Sequence, residues 1–326
     1  MDFDLSDLQV SWQQRAQQLG RDLAVDVSAA GIVMGAARVG LLDPRIDLLS
    51  AAVAVEALGE ESAAAAVALA LHTGVVLGTS EHDQFATLVR GEVVAAIGLS
   101  SDEMPLEQDG RLTGRASWVA PLTDHGVAVI GARIPSSGLI ACLISLEAHG
   151  VQQEPVAAAG LPGMVCGHVS LRDVEYVPLG SPLPVMTRAR VLLAAAGLGM
   201  GRRALREALH AAKGHTGHGA GGEQTVQGLL ADAATELDAA MLLTWKAAAA
   251  PQLSLAEASM AKLASTEATQ RAVARATQVV GADTFRSGHI IERLAQDVRA
   301  LELFAGRTEA LREAVASEVL PQGATS

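Results

Sequence analysis

Two changes of hydrophobic period, one near residue 98 and one near residue 185, divide the chain into three blocks and restrict the folds open to it. From about Ser6 to Ile97 apolar residues recur at helical spacing. A first helix is capped at Ser6 or Asp7 and reaches Val25, and further helices are expected over 47–58 and 62–77. From about Gly98 to Pro184, turn signals such as Asp109-Gly110 separate short β-branched segments over 112–119, 126–132, 139–145 and 167–177. Helical spacing returns at about Met186. Val226, Leu230, Ala233, Leu237 and Met241 then form an apolar stripe, with Asp232, Glu236 and Asp238 off it. Segments 253–280 and 289–320 supply the last two members of a four-helix block. The order predicts an α+β chain: an N-terminal helical domain (1–97), a middle antiparallel β-domain (98–185) and a C-terminal helical bundle (186–326).

At 326 residues and 50% hydrophobic, the chain can bury one large core or two modest ones. Only 2% of residues are aromatic, so burial must come from Ala, Leu and Val on closely packed helices. The net charge of −12, with no basic run, argues against nucleic acid, and a ligand carrying phosphates would need local positive charge. Cys142 and Cys166 have neither metal-type nor redox-type spacing, which reads as two buried free thiols in a reducing cytoplasm. No signal peptide is read at the N-terminus, and apolar runs such as 63–71 are too short to span a membrane, so a cytoplasmic location is expected. His210, His215 and His218 straddle the glycine-rich segment 214–222 without a carboxylate or cysteine partner; the reading there is a loop, and no metal site is expected.

The C-terminal third carries the most specific motifs. Gln278-Val279-Val280-Gly281, Glu292-Arg293 through Asp297, and Phe304-Ala305-Gly306-Arg307 through Arg312 stand in one register. They resemble, without a gap, the Q-x-x-G-G…ER-x-x-RDA…YEGT-x-x-x-x-R signature of the acyl-CoA dehydrogenase family. Leu112-Thr113-Gly114-Arg115-Ala116-Ser117-Trp118-Val119 is similar to that family's L-x-G-x-K-x-W-I-T segment. Gly160-Leu161-Pro162-Gly163 and the stretch 171–178 look like its late sheet strand, and 190–199 like the opening of its first long C-terminal helix. The resemblance covers essentially the whole chain, which is shorter than a typical member. It implies an acyl-CoA dehydrogenase-like fold, FAD, an acyl-CoA or acyl-carrier-protein thioester as substrate, and an oligomer in which subunits share each flavin.

Departures from the pattern fall on the chemistry. The family's base abstracts the α-proton of the thioester while a hydride leaves for the flavin. Its usual position is Ala305 here, and the minority position, immediately before Arg190, is Ala189. On a continuing helix Glu302 and Glu309 would share the face of Ala305, either as weak substitutes or as solvated surface charges. The resemblance implies flavin contacts at Trp118, Ser100, Lys213, Gln224, Gly281, Ala282 and Arg307. Several are altered: Ala120 takes a flavin-bonding threonine's place, and Lys213, Thr216 and Gly217 stand where an arginine, an aromatic and a glycine are usual. Ala282 replaces the second of two glycines, Arg307 a threonine, and the loop around Ser100 is shortened. Trp118 reads either as a core aromatic or as a flavin contact. Asp297 reads as structural, paired with Arg293 at i−4.

Three functions remain open at this level. One is the base-lacking subunit of a heteromeric acyl-CoA dehydrogenase. A second is a stand-alone homodimeric flavoenzyme performing oxygenation, reduction or double-bond isomerisation on a carrier- or CoA-bound acyl chain. The third is a pseudoenzyme that uses the fold as an assembly surface.

Overall fold

A computed structural model describes residues 4–79, 85–99, 104–135, 138–214 and 224–320. The chain opens with helices α1 (Asp7–Asp22), α2 (Ala29–Arg38), α3 (Leu48–Glu61), α4 (Ala63–Gly78) and α5 (Phe85–Val89). Their starts follow local side-chain chemistry. Ser6 and Gln9 form a reciprocal capping box on α1, and Ser28, Asp47 and Ser62 each accept a backbone N–H at the start of α2, α3 and α4.

Eight strands follow: β1 (Val94–Gly98), β2 (Leu106–Gln108), β3 (Arg111–Leu122), β4 (Gly126–Ile134), β5 (Gly138–Ser145), β6 (Val151–Val156), β7 (Val165–Val174) and β8 (Val177–Gly180). They lie in one sheet in the order β6-β7-β3-β1-β4-β5-β8, with β2 against β3 and β4. Most pairs are antiparallel as expected, but β1 and β2 run parallel to β4. The two faces bury different partners through the period-2 alternation of strands. Val127, Val129, Ala141 and Leu143 face the helices, whereas Ala128, Ile130, Cys142 and Ile144 fill a second core on the other side. Both cysteines are buried free thiols, and burial pushes the Cys142 thiol up to about 12.

The chain then returns to helix: α6 (Leu183–Gly214), α7 (Gln224–Ala248), α8 (Leu255–Val280), a 3-10 turn over Gly281–Phe285, α9 (Ile290–Asp297), α10 (Ala300–Leu303) and α11 (Thr308–Val319). Helix α6 is long and apolar enough to cross a membrane, but 78% of its apolar window is buried inside the protein. It is the axis of the main core, which also takes in α3, α4 and α8. The expected last helix over 289–320 is instead three pieces. Phe304 is extended and Ala305 left-handed (φ +54), so Glu302 and Glu309 belong to different helices and do not share a face with Ala305.

His72 on α4 joins the first helices to the sheet. The Ala95 N–H donates to its Nδ1 (3.1 Å), so Nε2 carries the proton and donates to the Leu88 carbonyl (3.2 Å). Complete burial pushes this imidazole down to about 4.

Candidate functional site

The two positions implied for the base converge. Ala189 lies in the first third of α6 and Ala305 in the break between α10 and α11, and Arg190 connects them by donating from Nε to the Ala305 carbonyl (2.9 Å). Arg190 Nη1 also donates to Ser259 Oγ on α8 (2.7 Å). One turn along α8, Lys262 Nζ donates to the carbonyls of Phe304 and Gly306, the latter at 2.7 Å. Three successive carbonyls of the loop are therefore clamped by two buried cations. Burial, reinforced by the neighbouring Arg190 charge, pushes Lys262 down to about 7, and burial alone brings Arg190 down to about 10.

This clamp sets the local backbone. Gly306 has φ +112, and a Cβ there would stand 2.9 Å from Arg190 Nη2. Both methyl groups are covered: Ala189 is 0% exposed and Ala305 5%. A Cβ placed on Gly74 of α4 would lie 3.0 Å from the Cα and Cβ of Ala189, so helix backbone seals that position. Glu302 and Glu309 are exposed.

Trp118 is not a core aromatic. It sits in a bulge of β3, where the pairing with β7 slips between Ala116 and Val119, with φ +56 and 37% exposure. A left-handed aromatic residue is strained, and such strain persists where surrounding structure enforces it, often at functional sites. Its ring meets the His168 imidazole of β7 at 5.5 Å and 60°. Ala120, by contrast, is fully buried.

The remaining positions lie on separate elements. Lys213 is exposed in the last turn of α6 and Gln224 opens α7. Gly281 (φ +74, with open space where a Cβ would be) and the exposed Ala282 follow α8, and the exposed Arg307 precedes α11. Ser100, His215, Thr216, Gly217 and His218 lie outside the described residues. Asp297 is buried and accepts the Leu161 N–H (2.6 Å), while the charge of the expected partner Arg293 also acts on it. Burial pushes its carboxyl up to about 6.

Sequence reasoning missed Lys262 and His168. Lys262 carried a signal, because it occupies the stripe of Ala258, Ala261, Ser265 and Ala268 that α8 buries. His168 stands on the face of β7 opposite the buried Val169 and Leu171, where an imidazole looks like ordinary surface.

Residues 183–320 match the family description "Acyl-CoA dehydrogenase, C-terminal domain". The chain is 28% identical over 316 residues to a protein described as probable acyl-CoA dehydrogenase YngJ of Bacillus subtilis, covering 84% of this chain and 83% of that one. It superimposes on a glutaryl-CoA dehydrogenase solved with glutaryl-CoA at TM-score 0.87 and 21% identity, over 98% of this chain and 96% of the other. A glutaryl-CoA dehydrogenase of Mycobacterium smegmatis solved with FADH2 matches at TM-score 0.85 and 14% identity, over 99% and 97% of the two chains. The likenesses to solved structures show the acyl-CoA dehydrogenase fold, and the C-terminal match and the curated relative make this chain similar to acyl-CoA dehydrogenases.

Proposed function

We propose that this chain is the base-lacking subunit of a heteromeric acyl-CoA dehydrogenase, in which a second acyl-CoA dehydrogenase chain supplies the carboxylate for α,β-dehydrogenation of an acyl thioester. The state of both base positions carries this reading. Proton abstraction needs a base within hydrogen-bond reach of the α-carbon's proton. Ala189 is sealed under α4, Ala305 is held in a clamped left-handed turn, and the nearby glutamates stand exposed on separate helices.

A flavin suits the sheet side of the site, where a strained, half-exposed indole lies beside an imidazole whose buried Nδ1 has no hydrogen-bond partner among the described residues. Trp118 would flank the ring. Lys213, Gln224, Gly281, Ala282 and Arg307, with Ser100, would meet the phosphate–ribose arm, in a site shared with or completed by a partner subunit. FAD, when bound, supplies the hydride acceptor. The chain's own contribution is positioning and charge: the hydrogen-bond partners of Arg190 and Lys262 among the described residues are neutral oxygens, so the pair favours an anion in front of Ala305.

Purification alone and together with a second, carboxylate-bearing acyl-CoA dehydrogenase chain from the same source tests the reading. The expected result is acyl-CoA-dependent flavin bleaching only in the co-purified complex. A yellow, dehydrogenating homo-oligomer of this chain alone would refute it. The half-exposed Trp118–His168 face favours one second reading, a stand-alone homodimeric flavoenzyme of different chemistry. Tightly bound FAD in the lone chain, without acyl-CoA oxidation, is the outcome that would support it.

A further inference from the structure

Beside Trp118 the sheet lacks one hydrogen-bonding group and has another left over. The lacking group is the hydroxyl that the family resemblance implies at position 120, where Ala120 carries only a fully buried methyl. The surplus group is His168. Beside it, the adjacent Ser170 of β7 and the neighbouring Glu154 of β6 are already engaged. Ser170 Oγ donates to Glu154 Oε1 (2.6 Å) and Arg115 Nη2 donates to Glu154 Oε2 (2.9 Å).

The His168 Nδ1 is buried with no hydrogen-bond partner among the described residues, although native interiors satisfy most such groups. Its neighbour Trp118 is held in a left-handed conformation by a bulge that interrupts the β3–β7 ladder. Two unfavourable features, an orphaned nitrogen and a strained aromatic, are thus in contact with each other. Neither is required to close the sheet: the pairing resumes at Val119 and Gly167, and the core beneath is filled by Ala116, Val119 and Val169.

We propose that His168 is a ligand-contacting residue, hydrogen-bonding the polar edge of the flavin ring seated on Trp118 in place of the hydroxyl missing at Ala120. The inference rests on the flavin reading above. The imidazole is suited to the task, because each ring nitrogen can donate or accept according to tautomer, and its indole contact fixes the ring beside the ligand. Glu154 is the charged group acting on His168, and it is itself tied to Arg115 and Ser170.

The test uses the FAD-loaded chain, together with its partner chain if the complex is needed to retain FAD. His168→Phe keeps an aromatic against Trp118 but removes both nitrogens. It should weaken FAD binding about tenfold, the value of one hydrogen bond to a ring, and should shift the flavin's absorption bands and reduction potential. His168→Gln, which keeps a donor and an acceptor, should recover most of both. Wild-type affinity and potential in His168→Phe would overturn the proposal while leaving the flavin reading intact; a wild-type complex that binds no FAD would defeat both. If His168→Phe does not fold, the 15N-histidine spectrum of the wild-type protein decides. The His168 ring resonances must move on FAD addition, and unmoved resonances overturn the proposal.

Discussion

Lys262 occupies an interior where a positive charge is costly, and the base loop keeps it there by presenting two carbonyls to one amine. A neutral amine still has two N–H groups, enough for Phe304 and Gly306, so deprotonation relieves the desolvation cost without losing these hydrogen bonds. The linkage sign follows. Its proton leaves near pH 7 in the folded chain but near 10.5 in the unfolded one, so between these values the unfolded state binds more protons and stability rises with pH. Below pH 7 the penalty is fully present. Lys262→Met lacks this gradient and leaves two carbonyls unpaired, so its deficit relative to wild type should widen from pH 7 to pH 10. Urea unfolding of both proteins across that range checks this, and parallel stability curves would contradict it. His72 behaves in the opposite pH range. Its folded value near 4 lies below the ordinary 6.5, so stability falls as pH drops through that interval, by about 3 kcal/mol if the shift is converted directly. His72→Gln, which can still accept from Ala95 and donate to Leu88, should unfold over a flatter acid range in a circular-dichroism titration.

At the scale of elements, a backbone-to-backbone approach of two helices is the crossing of α3 and α6. A Cβ on Gly199 would stand 2.2 Å from the Glu56 carbonyl oxygen and 2.8 Å from the Gly59 Cα, so the helices meet backbone to backbone. Around this contact Arg202 reaches Glu56 (2.7 Å) and Arg206 reaches Glu60 (3.0 Å), fixing the register from the rim. Gly199→Ala must push the helices apart, at a cost of about 1–3 kcal/mol from overpacking alone. Gly228 on α7 has no neighbour where a Cβ would go, and Gly228→Ala should stabilise by about 0.5–1 kcal/mol. Chemical denaturation of the two variants gives opposite signs if the crossing is as tight as described. The capped helices were legible in sequence because caps and apolar stripes are local. The break at 304–307 was not: the carbonyls of Phe304, Ala305 and Gly306 are drawn out of the helical ladder by Lys262 and Arg190, 42 to 115 residues away, and only Gly306 hinted at it. The parallel pairing of β1 with β4 was hidden for the same reason, since pairing direction depends on which distant strands meet.

For the molecule as a whole, the motifs located the base loop and Trp118, but burial and partners decided what each position can do. Ala189 and Ala305 looked equivalent as missing carboxylates, and in the fold they are not. Ala189→Glu would drive a carboxylate into the backbone of α4 at Gly74, so loss of folded protein is expected. Ala305→Glu meets a different constraint. The left-handed backbone strain is already borne by alanine there, and a glutamate adds little to it. Arg190 and Lys262 behind the loop would favour its ionised form. This variant should therefore fold, with a modest loss of thermal stability from placing a carboxylate at a position only 5% exposed. Activity is a separate matter, because Ala120 is buried and the position proposed to meet the phosphate arm, Lys213, carries a lysine rather than a bidentate arginine. If the site has delegated its chemistry, the isolated Ala305→Glu chain should give no acyl-CoA-dependent flavin bleaching under anaerobic conditions. Bleaching at a dehydrogenase rate would instead mean that one carboxylate was the missing part and that the rest of the site is competent.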